Sequence, residues 1–253
     1  VGTVNWTNYH SHCHFCDGVG EPRPLAEAAL AAGFAAFGFS SHAPVPFPTD
    51  WTMPPERLAD YLRAIRALRE EFAGRLTIHL GLEIDYIPGV MGPRSPRFEN
   101  LGLEYRIGSI HFLHAPDGDG GPWTVDGEVD ELAEGIRRDY GGDARRAVEA
   151  YYERVRGMVR AECPDIVGHL DLIKKNNAGN RFFDETAGWH CNAVFETLEA
   201  IAASKAVVEV NTGGIARGKV PDLYPSGWIL ERCCALGIPI TLNSDCHGPD
   251  HVA

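Results

Sequence analysis

Short apolar runs alternate along the chain with longer stretches of helical period. "VNWTNYH", "AAFGFSSH", "LTIHLGLE", "EYRIGSIHF", "DIVGHLDL", "AVVEVN" and "IPITLNSD" are of strand length and predict seven strands. Between them, "PLAEAALAAGF", "PPERLADYLRAIRALREEFAG", residues 143–162, residues 185–204 and "GWILERCCALG" read as helices. The second of these is the clearest: proline opens it, Leu58, Leu62, Ile65 and Leu68 recur at helical spacing, and Gly74 closes it. "GVMGPRSPRFENLG" reads as a loop with a short helix, and "APDGDGGPW" as an exposed, turn-rich loop near the site. Strands alternating with helices imply a parallel sheet, and βα units in this number suggest a closed barrel. An open doubly wound sheet is the alternative, weakened by the lack of a G-x-G-x-x-G or G-x-x-x-x-G-K-[ST] phosphate loop. No repeat or low-complexity linker divides residues 1–253, so a single domain is expected. The chain stops six residues after His247, which leaves no room for a helix after the seventh strand and suggests a truncated piece.

Composition narrows the partners. No run of eighteen apolar residues and no signal-peptide pattern is present, so neither a membrane span nor secretion is expected. A net charge of −12 argues against a nucleic-acid backbone as main partner, which clustered Lys and Arg would have to neutralise. It leaves open a small anionic substrate held by metals. Seven scattered cysteines, an odd number, suit free thiols in a reducing cytoplasm. The eleven histidines change the picture most, because several fall in alternating clusters.

These histidines coincide with the predicted strand ends. Strand one ends at His10 and His12, strand two at His42, strand three at Glu83 and strand four at His111. Strand five ends at His169, strand six at Asn211, and strand seven at Asp245 and His247. In a βα barrel these ends converge on the C-terminal face, where such folds build active sites. The pairs His10/His12 and Asp245/His247 are two residues apart, so each presents both side chains to one face of an extended strand. So many ligands exceed the needs of one tetrahedral ion and imply two or three divalent metals, with Zn, Fe and Mn all suited to imidazole and carboxylate. A multinuclear centre of this kind serves hydrolysis. Other candidates read more plainly. Cys13-x-x-Cys16 has no second cysteine pair, His14 points away from His12, and His79 is structural. His114, His190 and His251 read as solvated. Lys174–Lys175 reads as a surface pair whose place beyond His169 also allows a functional role, and Asp85 as a residue that orients a ligand.

Seven motifs in order, "HSHCHFCDG", "FSSHAP", "GLEIDY", "IGSIHF", "VGHLDLIKK", "VNTGGIARG" and "LNSDCHGP", resemble the polymerase-and-histidinol-phosphatase (PHP) superfamily over nearly the whole chain. "GLEIDY", "GHLDLIKK" and "NTGG" resemble its histidinol-phosphate phosphatase branch. The resemblance implies an α/β fold, a distorted TIM-like (βα)7 barrel of parallel strands, and a trinuclear centre. It implies a first metal on His10, His12, Glu83 and Asp245. A second would share Glu83 with His111 and His169, and a third would take Asp17, His42 and His247. Glu83, Asp245 and His247 would carry catalysis, and Arg217, Lys175 and Lys219 would contact the phosphate. The implied reaction is metal-dependent hydrolysis of L-histidinol phosphate. The alternatives are another small phosphomonoester or nucleotide, a non-catalytic accessory module, and an amidohydrolase-type barrel. Three positions depart from the family pattern: Asn8 and Ser41 stand where an acid is usual, and Cys13 where threonine is.

Overall fold

A computed structural model of the protein describes residues 5–114 and 121–252. Seven strands form one sheet in which every pairing is parallel: β1 (Trp6–Asn8), β2 (Phe34–Phe39), β3 (Thr77–Asp85), β4 (Tyr105–Ser109), β7 (Ile166–Val167), β8 (Val207–Asn211) and β9 (Ile240–Asn243). Two further short strands, β5 (Phe112–Leu113) and β6 (Trp123–Thr124), pair separately and antiparallel. Helices α1 (Pro22–Ala31), α2 (Leu58–Glu71), α3 (Val129–Tyr140), α4 (Ala144–Glu162), α5 (Gly188–Ala202), the short α6 (Gly213–Ala216) and α7 (Gly227–Ala235) fill the connections.

The sheet curls until its first and last strands meet. Ser11 bridges Cys246, and His12 N donates to the Cys246 carbonyl at 2.8 Å. Side chains complete this seam: Tyr9 N donates to Asn243 Oδ1 (2.8 Å) and Ser244 N to Asn8 Oδ1 (2.7 Å). The result is a nearly closed seven-stranded barrel, as the alternation of elements predicts. Asn8 also donates its Nδ2 to the His10 carbonyl, so it uses an amide's donor and acceptor together. An ionised aspartate at this position could only accept.

The barrel packs on two apolar cores. One lies under α1 and α2, where Leu62, Ile65 and Leu68 turn inward as the helical spacing predicts, Leu58 is half-buried, and Tyr61 joins the core unforeseen. The other lies under α4, α5 and α7, around Tyr151, Tyr152, Val194 and Ile229. Tyr105 of β4 packs across β2 and β3 and donates its hydroxyl to the Tyr9 carbonyl at 2.7 Å. Glycines make room for its ring: a Cβ at Gly38 would stand 2.3 Å from Tyr105 Oη, and one at Gly81 2.4 Å from Cζ. Gly81→Ala is therefore expected to destabilise the fold by about 1–3 kcal/mol through overpacking. A thermal melt followed by circular dichroism checks this, and an unchanged midpoint contradicts it.

Several sequence expectations need correction. Strand four ends at Ser109, two residues before His111, because His111 N donates to Asp85 Oδ1 (2.9 Å) instead of a ladder carbonyl. Strand five is only two residues long, because His169 N is taken by Glu209 Oε1 at 2.7 Å and the chain then turns into a 3-10 helix at Leu172–Lys174. Helix α3 was not expected, although Leu132, Ile136 and Tyr140 lie one turn apart and are buried. His190 is buried, not solvated, with its Nδ1 on the Glu185 carbonyl (2.9 Å) and Tyr152 Oη 3.3 Å from Nε2. Lys174 is buried too, on Asp171 Oδ2 at 2.8 Å. Most of the expected loop "APDGDGGPW" lies outside the described residues.

Candidate metal centre

The C-terminal ends of the strands, with the turn that carries Asp17, bring all nine predicted ligands to one place, and Glu83 is its hub. The β3 backbone carries this carboxylate to 1% exposure, where burial without partners would be prohibitive. Oε2 faces His42 Nδ1 at 2.9 Å, His10 Nε2 at 3.2 Å and His12 Nε2 at 3.5 Å. Oε1 accepts from Ser109 Oγ at 2.6 Å and faces His169 Nε2 at 2.9 Å and His111 Nε2 at 3.6 Å. The two oxygens thus address two different groups of imidazoles.

Neighbours fix the tautomers. With Nδ1–H of His10 donated to Glu209 Oε2 (2.8 Å), its Nε2 lone pair points at Glu83 Oε2 and, 3.6 Å away, Asp245 Oδ1. Asp85 Oδ1 does the same for His111 Nδ1 at 3.1 Å, the orienting role its sequence position predicts. His247 Nδ1 meets Arg217 Nη1, which can only donate, at 2.9 Å and the Asp245 carbonyl at 3.0 Å, while Nε2 faces Asp17 Oδ2 at 3.3 Å. Asp17 Oδ1 also lies 3.8 Å from His42 Nε2 and 3.9 Å from His12 Nδ1. Asp245 Oδ1 lies 3.2 Å from His12 Nε2, while Oδ2 is held by Arg217 (3.1 Å) and Asn211 (3.2 Å).

Three sets bring their ligand atoms within 4.8 Å of one another: His10/His12/Glu83, His42/Glu83/His111 and His12/Asp17/His42/His247. The grouping differs from the expected one: His12 also meets the Asp17 set, His42 and not His169 completes the set of Glu83 and His111, and Asp245 stands in none of the three. The residues fit cations. His10 Nε2, His12 Nε2, His42 Nδ1 and Glu83 Oε2 are buried and converge without making hydrogen bonds, a knot of lone pairs that a cation satisfies. These His, Glu and Asp clusters can bind several divalent ions.

The electrostatics agree. Burial opposes ionisation of Glu83, but His42, His10 and His111 hold its carboxyl well below the usual range. Burial pulls His10 towards neutrality, and Glu209, Glu83 and Asp245 reverse this and raise it. His111 is likewise lifted against burial, to about 10, by Asp85 and Glu83. His12 goes the other way, down to about 3, through burial and the neighbouring His247 and His42. Cations would compete with protons on the raised imidazoles, so their uptake releases protons.

Other candidates separate cleanly. Cys13 faces Ser41 Oγ at 3.4 Å, and Cys16 lies 3.5 Å from His12 Nδ1 with its thiol pushed up by burial and the Asp17 charge. His14 turns to Glu21, 3.6 Å away. A cavity of about 630 Å3 opens over the centre. Arg217, Lys175 and Lys219 line it, but Lys175 is already paired with Asp126 (3.1 Å) and Arg217 with Asp245. Asp50, Asp126, Glu128 and Glu131 line it as well. Sequence reading missed Glu209, Asp126, Trp51 and Tyr224. Only Glu209 carried a local signal: it is the sole charge inside "AVVEVN", two residues before Asn211 and so on the same face.

Comparison with known proteins follows the same line. The profile of the PHP domain matches residues 8–213. A Deinococcus radiodurans protein named "Probable histidinol-phosphatase" is 35% identical over 96% of this chain and 86% of its own length. A solved structure from Listeria monocytogenes, which bears a provisional histidinol phosphatase name, superposes with a TM-score of 0.83 at 23% identity, covering 98% of this chain and 97% of that one. Histidinol phosphate phosphatase of Lactococcus lactis, solved with Zn, L-histidinol and phosphate, gives a TM-score of 0.68 at 24% identity over 98% of this chain and 88% of its own. At these identities the two structures speak for the shared fold.

Proposed function

The chain belongs to the PHP domain family, and we propose that it is a metal-dependent phosphatase that converts L-histidinol phosphate to L-histidinol and phosphate. The observation that carries the hydrolytic reading is Glu83, whose oxygens each face a separate group of buried imidazoles. In this reading His10, His12, Glu83 and Asp245 hold one cation, Glu83, His111 and His169 a second, and Asp17, His42 and His247 a third. Divalent ions held there would supply a water acidified into a nucleophile and positive charge for the phosphoryl oxygens. The chain's own residues do the rest. Ser109 fixes one Glu83 oxygen, Arg217 and Asn211 pin Asp245 so that Oδ1 faces the imidazoles, and Arg217 and Lys219 add positive charge on the cavity wall where a phosphate would sit.

The substrate assignment draws on the named relatives and on the mixed charge of the cavity wall. Arg217, Lys175 and Lys219 line it beside the metal centre, and so do Asp50, Asp126, Glu128 and Glu131. A phosphate ester of a cationic amino alcohol offers a partner to each sign, whereas a nucleotide would bring more negative charge against carboxylates. The unpaired cysteines suit a reducing cytoplasm. The test is an assay of metal-loaded protein against histidinol phosphate, p-nitrophenyl phosphate and a nucleoside monophosphate. Histidinol phosphate is expected to exceed the nucleotide in kcat/KM by about 100-fold or more, within the range that charged and hydrogen-bonded contacts can discriminate. Hydrolysis of none of the three by protein shown to hold metal overturns the phosphatase reading.

A further inference from the structure

Outside the knot, His169 Nδ1 and the Tyr224 hydroxyl are the cavity-lining residues' buried, unpartnered side-chain atoms among the described residues, and of the two only Tyr224 is not a proposed metal ligand. It is 3% exposed, and its hydroxyl is buried without a hydrogen-bond partner. Such a group costs free energy unless something completes it. Its position is over-determined. Tyr224 N donates to the Asn211 carbonyl (3.1 Å) and Asn211 N to the Tyr224 carbonyl (2.6 Å), which ties it to the end of β8. The Lys174 ammonium sits 5.3 Å from the ring centre. Gly214 leaves space for the ring, since a Cβ there would stand 2.6 Å from Tyr224 Cε2. Buried Asp171 acts on it most strongly, followed by Asp126, Asp245 and Arg217 on the cavity wall.

The geometry points to Tyr224 as a positioning and specificity residue whose hydroxyl donates a hydrogen bond to a phosphoryl oxygen seated beside Arg217. This deepens the phosphatase reading and rests on it for the identity of the anion. Burial, with Asp171, Asp126 and Asp245 nearby, pushes the phenol up, so it is a donor throughout the physiological range. A phosphomonoester oxygen supplies the acceptor that the protein does not.

Tyr224→Phe removes the hydroxyl alone. Inorganic phosphate titrated calorimetrically into the metal-loaded protein is expected to bind the variant about 10-fold more weakly, the scale of a hydrogen bond to a charged group. Metal content and thermal midpoint should not fall, and kcat/KM for the phosphomonoester should drop by a similar factor. Equal phosphate affinity in the two proteins overturns the proposal, as does a wild type that binds no phosphate. A fall in thermal midpoint with unchanged phosphate affinity also overturns it, by showing that the hydroxyl serves the fold through a buried water near Asp171. A wild type that binds phosphate in a Tyr224-dependent way but hydrolyses no ester supports this proposal while sinking the phosphatase reading.

Discussion

Glu83→Gln is expected to lower phosphate release by about 1000-fold or more and to remove metal from the purified protein. Glutamine keeps the shape of the side chain and changes only its charge and one oxygen. That one change reaches both halves of the centre. If the amide nitrogen takes the Oε2 place, it puts N–H groups against the ring nitrogens of His10, His12 and His42, which lie within 3.5 Å. If it takes the Oε1 place, it faces the hydroxyl of Ser109 and the ring of His169. In either orientation a neutral amide cannot serve cations on both sides, and the charge that His10, His42 and His111 neutralise is gone. Metal analysis beside a phosphate-release assay measures both effects. Cys13→Ser is the matched control: its sulfur faces Ser41 and no ligand, so metal content and activity should stay near wild type. Loss of metal from Cys13→Ser would refute the ligand assignment, and full activity in Glu83→Gln would refute the role of Glu83.

The nine proposed ligands were legible because each lies at or just beyond a strand end, or, for Asp17, in the first dense cluster. A βα barrel converts such positions into neighbours without needing to know the loops. Residues on long connections were not legible in this way. Asp126, Trp51 and Tyr224 reach the cavity only because the β5–β6 hairpin, the segment before α2 and the bridge to Asn211 bring them there. Burial of polar side chains was a second source of error. His190 and Lys174 were read as solvated because of their type, yet each found partners that satisfy it inside. The departures from the family pattern also became intelligible. Ser41 is buried, and its carbonyl accepts from Glu83 N at 3.3 Å, so His42 takes its orientation from Glu83 and from the edge of Trp51, whose ring centre is 4.6 Å away.

Glu209 is the residue that strand reading hid, since a carboxylate within an apolar run was counted as part of the strand. Four donors converge on its two oxygens: His10 Nδ1 (2.8 Å) and Asn243 Nδ2 (2.9 Å) on Oε2, and His169 N (2.7 Å) and Asn211 Nδ2 (2.8 Å) on Oε1. Burial opposes its charge, but His10 holds the carboxyl below its ordinary range. Glu209 touches no position proposed for a cation; it is a positioning residue that sets the tautomer of His10 and the backbone of His169. In Glu209→Gln the amide nitrogen must face two of these donors, leaving both without an acceptor. Each such buried donor costs about 1–3 kcal/mol, so the thermal midpoint should fall. Metal affinity and kcat/KM should each drop by about 100-fold, the upper end for losing an orienting partner. Because all proposed ligands remain, excess metal should restore much of the activity of Glu209→Gln and none of that of Glu83→Gln. A metal titration of activity in the two variants separates the roles. Wild-type metal affinity and turnover in Glu209→Gln would show that His10 is oriented without it.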